Sequence, residues 1–177
     1  MTTGTISLRK LAHLLDFVGK MDRPILQAVR LRADGSAVAT NGHVLAIYQR
    51  AHNLGRDLSL IVPRWMRHKL GAVARKVGED DVQIRELENR LMVIDAPFGP
   101  VACTIDYDAI YPDVNAVMPT GPAVAIEHIR FQPQYLQLFG TTPTFTFYGS
   151  DRAISVNTGD RDFTGLLMPL RPDPNTR

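Results

Sequence analysis

The chain has 177 residues, 45% of them hydrophobic, and one cysteine, enough for one good core, or for one domain and part of another, without disulfide staples. No apolar run approaches the roughly 20 residues of a membrane span, and Met1-Thr-Thr-Gly-Thr5 lacks the charged and apolar regions of a signal peptide, so the composition reads as a soluble, reducing, cytoplasmic protein. The net charge of +2 conceals a division: residues 1–76 carry 13 Lys and Arg against 4 acids, and residues 77–177 carry 7 against 14. That division suits a basic face for a polyanion, an acidic end that meets the basic end of another copy, or simply two solvated faces.

In chain order, Thr5-Ile-Ser7 reads as a short extended start, and Ser7 can cap a helix from Leu8 to about Lys20. Leu8, Leu11, Leu15 and Val18 fall on one side of that helix, and Arg9, His13, Asp16 and Lys20 on the other. Ile25–Arg32 reads as a strand and Ala33–Ser36 as a turn. The ribbon Ala37–Gln49 follows, broken by Asn41-Gly42, a strong signal for a sharp reversal. Thr40 and His43 put a hydroxyl and an imidazole beside its apolar surface; this is either an ordinary hairpin turn or a place to hold a partner.

The second stretch repeats the order. Ser59–Val62 is a short strand, and Pro63 suits the first position of a helix whose buried stripe is Met66, Leu70, Val73 and Val77 and which Gly78 ends. Arg64, Arg67, His68 and Arg75 point away from that stripe, with Lys69 and Lys76 on the flanks. Three strands follow by alternation, at 81–87, 90–95 and 101–106. Cys103, within the last of these, reads as a buried, inert thiol.

A third stretch runs in the same order: a strand at 123–130, a short helix at 133–139 stopped by Gly140, and strands at 144–148, 153–157 and 163–170. Three stretches sharing one order of elements mark an internal repeat, and residues 172–177 read as a loose tail. Catalysis finds little support. The five histidines, His13, His43, His52, His68 and His128, lack metal-ligand spacing, the pairs Asp80-Asp81 and Asp106/Asp108 sit at turns or strand ends, and no phosphate loop, dinucleotide fingerprint or nucleophile elbow occurs. No enzyme, cofactor or metal is expected.

Laid out this way, the residues resemble the bacterial sliding clamp, the β subunit of DNA polymerase III. Ala39-Thr-Asn-Gly-His-Val-Leu-Ala46 is similar to that family's Ala-Thr-Asp-Gly-His-Arg-Leu-Ala signature. Ile61-Val-Pro63, Tyr111-Pro-Asp113 with Val117-Met-Pro119, and Leu167-Met-Pro-Leu-Arg171 resemble its other motifs in the same order. The resemblance implies an α+β DNA-clamp fold of three β-α-β-β-β half-domain units. Residues 1–120 correspond to the whole middle domain of the family's three, and 121–171 to the second half of the last. Two family chains close a ring of twelve units, so three units per chain imply either a tetrameric ring or a dimer that pairs its odd half-domains.

It also implies two sites. A hydrophobic cleft for clamp-binding peptides of polymerase or repair proteins would use Leu26, Thr40, Gly42, His43, Leu45, Pro119, Tyr135, Met168, Pro169 and Arg171. Val44 stands where the family usually has Arg, and Leu170 where it often has Met. A basic helix face for non-specific double-stranded DNA would use Arg9, Lys10, Lys20, Arg23, Arg64, Arg67, Lys69, Arg75 and Lys76, which need only meet the phosphate backbone. The third helix carries no cation. The expected function is that of a sliding-clamp-like processivity factor in DNA replication or repair; the alternative is a clamp mimic or regulatory module that binds proteins and no DNA.

Overall fold

Ser7 closes the first strand, β1 (Thr3–Ser7), and opens the first helix, α1 (Leu8–Leu14), its hydroxyl accepting the Lys10 backbone N–H at 3.2 Å. The computed structural model describes residues 2–19, 24–74, 76, 81–108 and 110–170. The apolar stripe of α1 is buried as its spacing requires, with Leu8, Leu11, Leu15 and Val18 all in the core. The helix is shorter than its periodicity predicts. Its last turn tightens, with Asp16 and Phe17 donating to the His13 and Leu14 carbonyls, and Gly19 then donates to the Leu26 carbonyl at 2.6 Å. A Cβ at Gly19 would stand 2.8 Å from that of Leu26, so glycine permits the approach.

A 3-10 turn (Pro24–Gln27) takes the first three residues of the expected strand at 25–32, and β2 is only Val29–Leu31. The ribbon is β3 (Ala37–Thr40) and β4 (Val44–Tyr48); then come β5 (Leu58–Ile61), α2 (Arg64–Ala74), β6 (Asp81–Leu87), β7 (Leu91–Ala96) and β8 (Gly99–Asp106). Val77 and Gly78, expected to finish α2, lie outside the described residues. Cys103 on β8 is buried, and burial pushes its thiol up to about 12, well away from a thiolate nucleophile.

The first two units interlock by exchanging their first strands. β1 pairs with β6 of the second unit, and β5 pairs with β2 of the first. Each first strand also reaches the last strand of its own unit: β5 pairs with β8, and β1 meets the end of the ribbon through Ser7 N–H to Ala51 O (2.8 Å) and an Ile6–His52 bridge. The two helices pack together over the result.

The third stretch departs from the expected repeat. Residues 123–130 form no strand, and 133–139 is a 3-10 helix begun by a proline rather than an α-helix. Only β9 (Thr144–Thr146), β10 (Ile154–Asn157) and β11 (Phe163–Leu167) join the sheet. The reason lies in the exchange. In the first two units a first strand finds its partner in the other unit's second strand, and among the described residues the third unit has no such companion. Residues 123–130 therefore join no ladder and stay largely exposed, tied by Val124 N–H to Phe147 O (2.9 Å) and Leu170 N–H to Arg130 O (2.7 Å). The eleven strands make one antiparallel sheet in the order β1-β6-β7-β8-β5-β2-β3-β4-β11-β10-β9.

β11 docks along the whole length of β4, from Phe163 opposite Tyr48 to Leu167 opposite Val44. The main core runs across this seam, from Ile6, Leu14 and Phe17 to Phe139, Phe163 and Leu167. Gly165 lets Phe139 lie against β11; a Cβ there would meet the Phe139 ring at 2.6 Å. His13 joins the same seam, bonding the Tyr48 hydroxyl and the Leu138 carbonyl at 2.8 Å each, so the face of α1 expected to meet solvent is partly covered by the third stretch.

Candidate functional site

The turn after β3 is set by its own side chains. Thr40 Oγ1 donates to Val44 O at 2.7 Å and accepts the Gly42 N–H, while Asn41 Oδ1 accepts the N–H groups of His43 (2.9 Å) and Val44 (3.1 Å). Gly42 takes φ +88°, which a glycine adopts without strain. The outcome is an exposed tip, with His43 held beside the β4–β11 seam. The His43 carbonyl accepts Met168 N–H at 2.8 Å, so the end of the third stretch is laid against this turn.

Residues 111–118 then cross the opposite face of the sheet. A second apolar cluster forms there from Val38, Leu45, Ile47, Val114, Ala153 and Leu166, with Tyr111, Met118 and Met168 against it. Tyr111 reaches the Val38 carbonyl with its hydroxyl (3.4 Å), and burial pushes its phenol above the ordinary tyrosine range. With both faces covered, every residue of β3 and β4 is buried, where a half-exposed ribbon would alternate.

Between this crossing segment and the seam lies a cavity of about 200 Å³. Its walls are Leu26, Thr40, Gly42, Val44 and Leu45 from the first unit, Pro112, Asp113, Val114 and Val117 from the crossing segment, and Leu166 and Met168 from the third. Three stretches distant in sequence thus make one mostly apolar groove. Immediately beside it is a larger, more polar hollow of about 420 Å³ lined by Asp16, Asn41, His43, Gln134, Tyr135 and Gln137 among others. The imidazole of His43 stacks on the Tyr135 ring, centroids 5.5 Å apart and planes 18° from parallel, in the wall of this second hollow.

Of the ten residues expected at a peptide cleft, Leu26, Thr40, Gly42, Leu45 and Met168 line the groove, and His43 and Tyr135 line its neighbour. Pro119 and Pro169 are half-buried outside both linings, and Arg171 lies outside the described residues. The groove also takes in Val44, Pro112, Asp113, Val114, Val117 and Leu166, which are not among those ten. Four of these had a signal: Pro112, Asp113 and Val117 lie within the motifs Tyr111-Pro-Asp113 and Val117-Met-Pro119, and Val114 follows the first directly.

The expected basic face is less uniform than a count of cations implies. Lys10 is buried: its ammonium bonds Gln49 O (3.0 Å), Arg50 O (3.2 Å) and Asp162 (2.8 Å), so it pins the seam and is corrected out of a DNA-contacting set. Hydrogen bonds from Lys10 and then Arg50 hold the Asp162 carboxyl below its usual range. Arg67 is half-buried and reaches the Gln27 carbonyl (3.4 Å). Arg9 on α1 and Lys69 and Lys76 at α2 are exposed, Arg64 opens α2, and Lys20, Arg23 and Arg75 lie outside the described residues.

No protein-family profile matches the chain, and no curated protein matches it. Solved structures do. The DNA polymerase sliding clamp of Pseudomonas aeruginosa, determined with a ligand, matches at a TM-score of 0.70 and 19% identity, over 96% of this chain and 66% of that one. The polymerase III β subunit of Borrelia burgdorferi, in complex with a natural product, matches at 0.71 and 15%, over 95% and 62%. That of Thermotoga maritima matches at 0.68 and 13%, over 98% and 66%. The fold is that of a bacterial sliding clamp. The chain spans just under two thirds of the length of the clamps it matches. Within the clamp fold the groove sits at the β4–β11 seam, where the third stretch meets the first. Among the described residues no helix is long and apolar enough to cross a membrane.

Proposed function

We propose that this chain is a clamp-like accessory of DNA replication or repair, non-catalytic, that tethers partner proteins by receiving a short peptide in the groove at the β4–β11 seam. The observation that carries the reading is the groove itself: apolar walls from three separate stretches of a chain about two thirds the length of the clamps it resembles. Apolar anchors of a peptide fit the walls at Val44, Leu45, Val114 and Met168, while Thr40 and the His43–Tyr135 pair at its edge address polar groups. Titrating a labelled clamp-binding peptide tests it. The parent should bind, and a Met168→Asp, His43→Ala double variant should lose most of that affinity; equal binding by both overturns the assignment.

The same proposal takes 1–120 as one clamp domain and 121–171 as a half-domain, which two chains complete by pairing their third stretches, or four chains complete in a ring. It gives Arg9, Arg64, Arg67, Lys69, Arg75 and Lys76 the role of holding duplex DNA through its phosphates. Changing Arg64, Arg67, Lys69 and Arg75 together to Glu should abolish duplex retention, and unchanged retention rules that role out. A second reading, a protein-binding clamp mimic that leaves DNA alone, is favoured by the burial of Lys10 and by the cation-free helix at Pro133–Phe139. Light scattering across a concentration series, with and without DNA, tests the ring: assembly of 19.7 kDa chains into tetramers supports it, whereas a monomer or dimer is too small to encircle a duplex and leaves the peptide groove as the function.

A further inference from the structure

Trp65 is the chain's one tryptophan and stands 68% exposed on α2. Nothing in the packing of α2 requires an indole there, because Met66 and Leu70 on the opposite face already meet the core. One turn on, the Lys69 ammonium lies over the indole, 5.7 Å from its centroid. His68 and Lys69, one turn on, are exposed beside it, and from Leu58 to Lys76 the sequence contains no acid. An exposed aromatic plane inside an acid-free basic stretch is the pairing that single-stranded nucleic-acid sites use, with a base on the ring and a phosphate on the cation.

We infer that Trp65 and Lys69 form a contact for unpaired DNA bases, distinct from the peptide groove. This rests on the DNA-holding part of the proposed function and deepens it. Phosphate contacts by Lys and Arg serve duplex and single strand alike, but an indole face gains nothing from a duplex, whose bases already cover one another. Lys69 need only swing from the ring to a phosphate, exchanging a weak exposed cation–π contact for a charge-assisted one. The α2 face therefore favours single-stranded or frayed DNA over a closed duplex.

The single tryptophan makes the test specific, since all indole emission comes from this site. Oligo(dT) should quench Trp65 fluorescence, and a blunt duplex should leave it nearly unchanged. Trp65→Ala should weaken oligo(dT) binding, read from the anisotropy of the labelled strand, about five- to tenfold, with duplex retention unchanged and Trp65→Phe restoring part of the loss. Equal quenching by duplex, or oligo(dT) binding without quenching, overturns the contact. An emission shift that follows protein concentration without DNA also overturns it, by assigning Trp65 to an interface between copies. If duplex is retained while Trp65 stays silent to oligo(dT), this inference alone fails. If neither nucleic acid binds, the DNA-holding reading fails with it.

Discussion

The first two units and the third differ in one respect from which much else follows: the first two exchange strands, and among the described residues the third does not. β1 completes the second unit and β5 completes the first, so each first strand has a ladder to join. Residues 123–130 have strand-forming composition at the matching place and stay unpaired in any ladder and largely exposed. A unit of this fold is half of a pair, and strand propensity becomes a strand only where a partner edge exists. The third unit is instead held by its other end, through β11 on β4 and Phe139 over Gly165.

Matched substitutions would break that comparison or sharpen it. The largest effect is expected from Ile6→Pro in β1, where Ile6 is buried and pairs with Val82; losing a ladder N–H and a core side chain should cost more than about 3 kcal/mol. Urea unfolding would then show no stable native baseline. Phe139→Ala should follow, at about 3–5 kcal/mol for a buried ring if the third unit shares one cooperative core with the first. A much smaller loss in thermal unfolding would mean that the third unit melts separately. Since the same helix carries Tyr135, this variant should also weaken peptide binding.

A smaller, pH-dependent effect is expected at His52, which ties the first unit together by bonding Ser36 O (3.0 Å) and accepting Leu54 N–H (3.2 Å). Burial lowers its pKa below the ordinary histidine value, so the unfolded chain takes up the proton first. Stability is then complete above about pH 7 and falls as pH drops below the unfolded histidine value of about 6.5. Melting temperature measured from neutral to mildly acid pH should decline, and the decline should flatten in His52→Gln. The smallest effect belongs to Ala125→Pro, the counterpart of the first substitution in the third unit. Ala125 is exposed and joins no ladder, so its stability should stay within about 0.5 kcal/mol of the parent. If pairing of third stretches builds a strand at 123–130 in the oligomer, Ala125→Pro should leave the monomer intact and lower the association constant.

Much of the framework was legible in residue order. Ser7 before an apolar run, Pro63 before α2, and Asn41-Gly42 inside a Val- and Ile-rich ribbon each specify a local backbone state, because caps, prolines and glycines act within a few residues. The turn that presents His43 could therefore be read directly, and so could the buried stripe of α1 and, in α2, Met66 and Leu70. Lys10 could not. A lysine on the polar side of an amphipathic helix reads as solvated, and only the arrival of Asp162 and of two carbonyls past the end of β4 buries it.

The groove divides in the same way. Residue order and the resemblance it carries pointed to Thr40, Leu45 and Met168, whereas Val44, Val114 and Leu166 became walls only when the crossing segment and β11 met on opposite sides of β4. Local chemistry settles turns, caps and periodicity because each involves neighbours along the chain. Which strand finds a partner, which cation is covered and where three distant stretches enclose a cavity depend on contacts between residues tens of positions apart, and more than a hundred at the β4–β11 seam, which exist only once the sheet has formed.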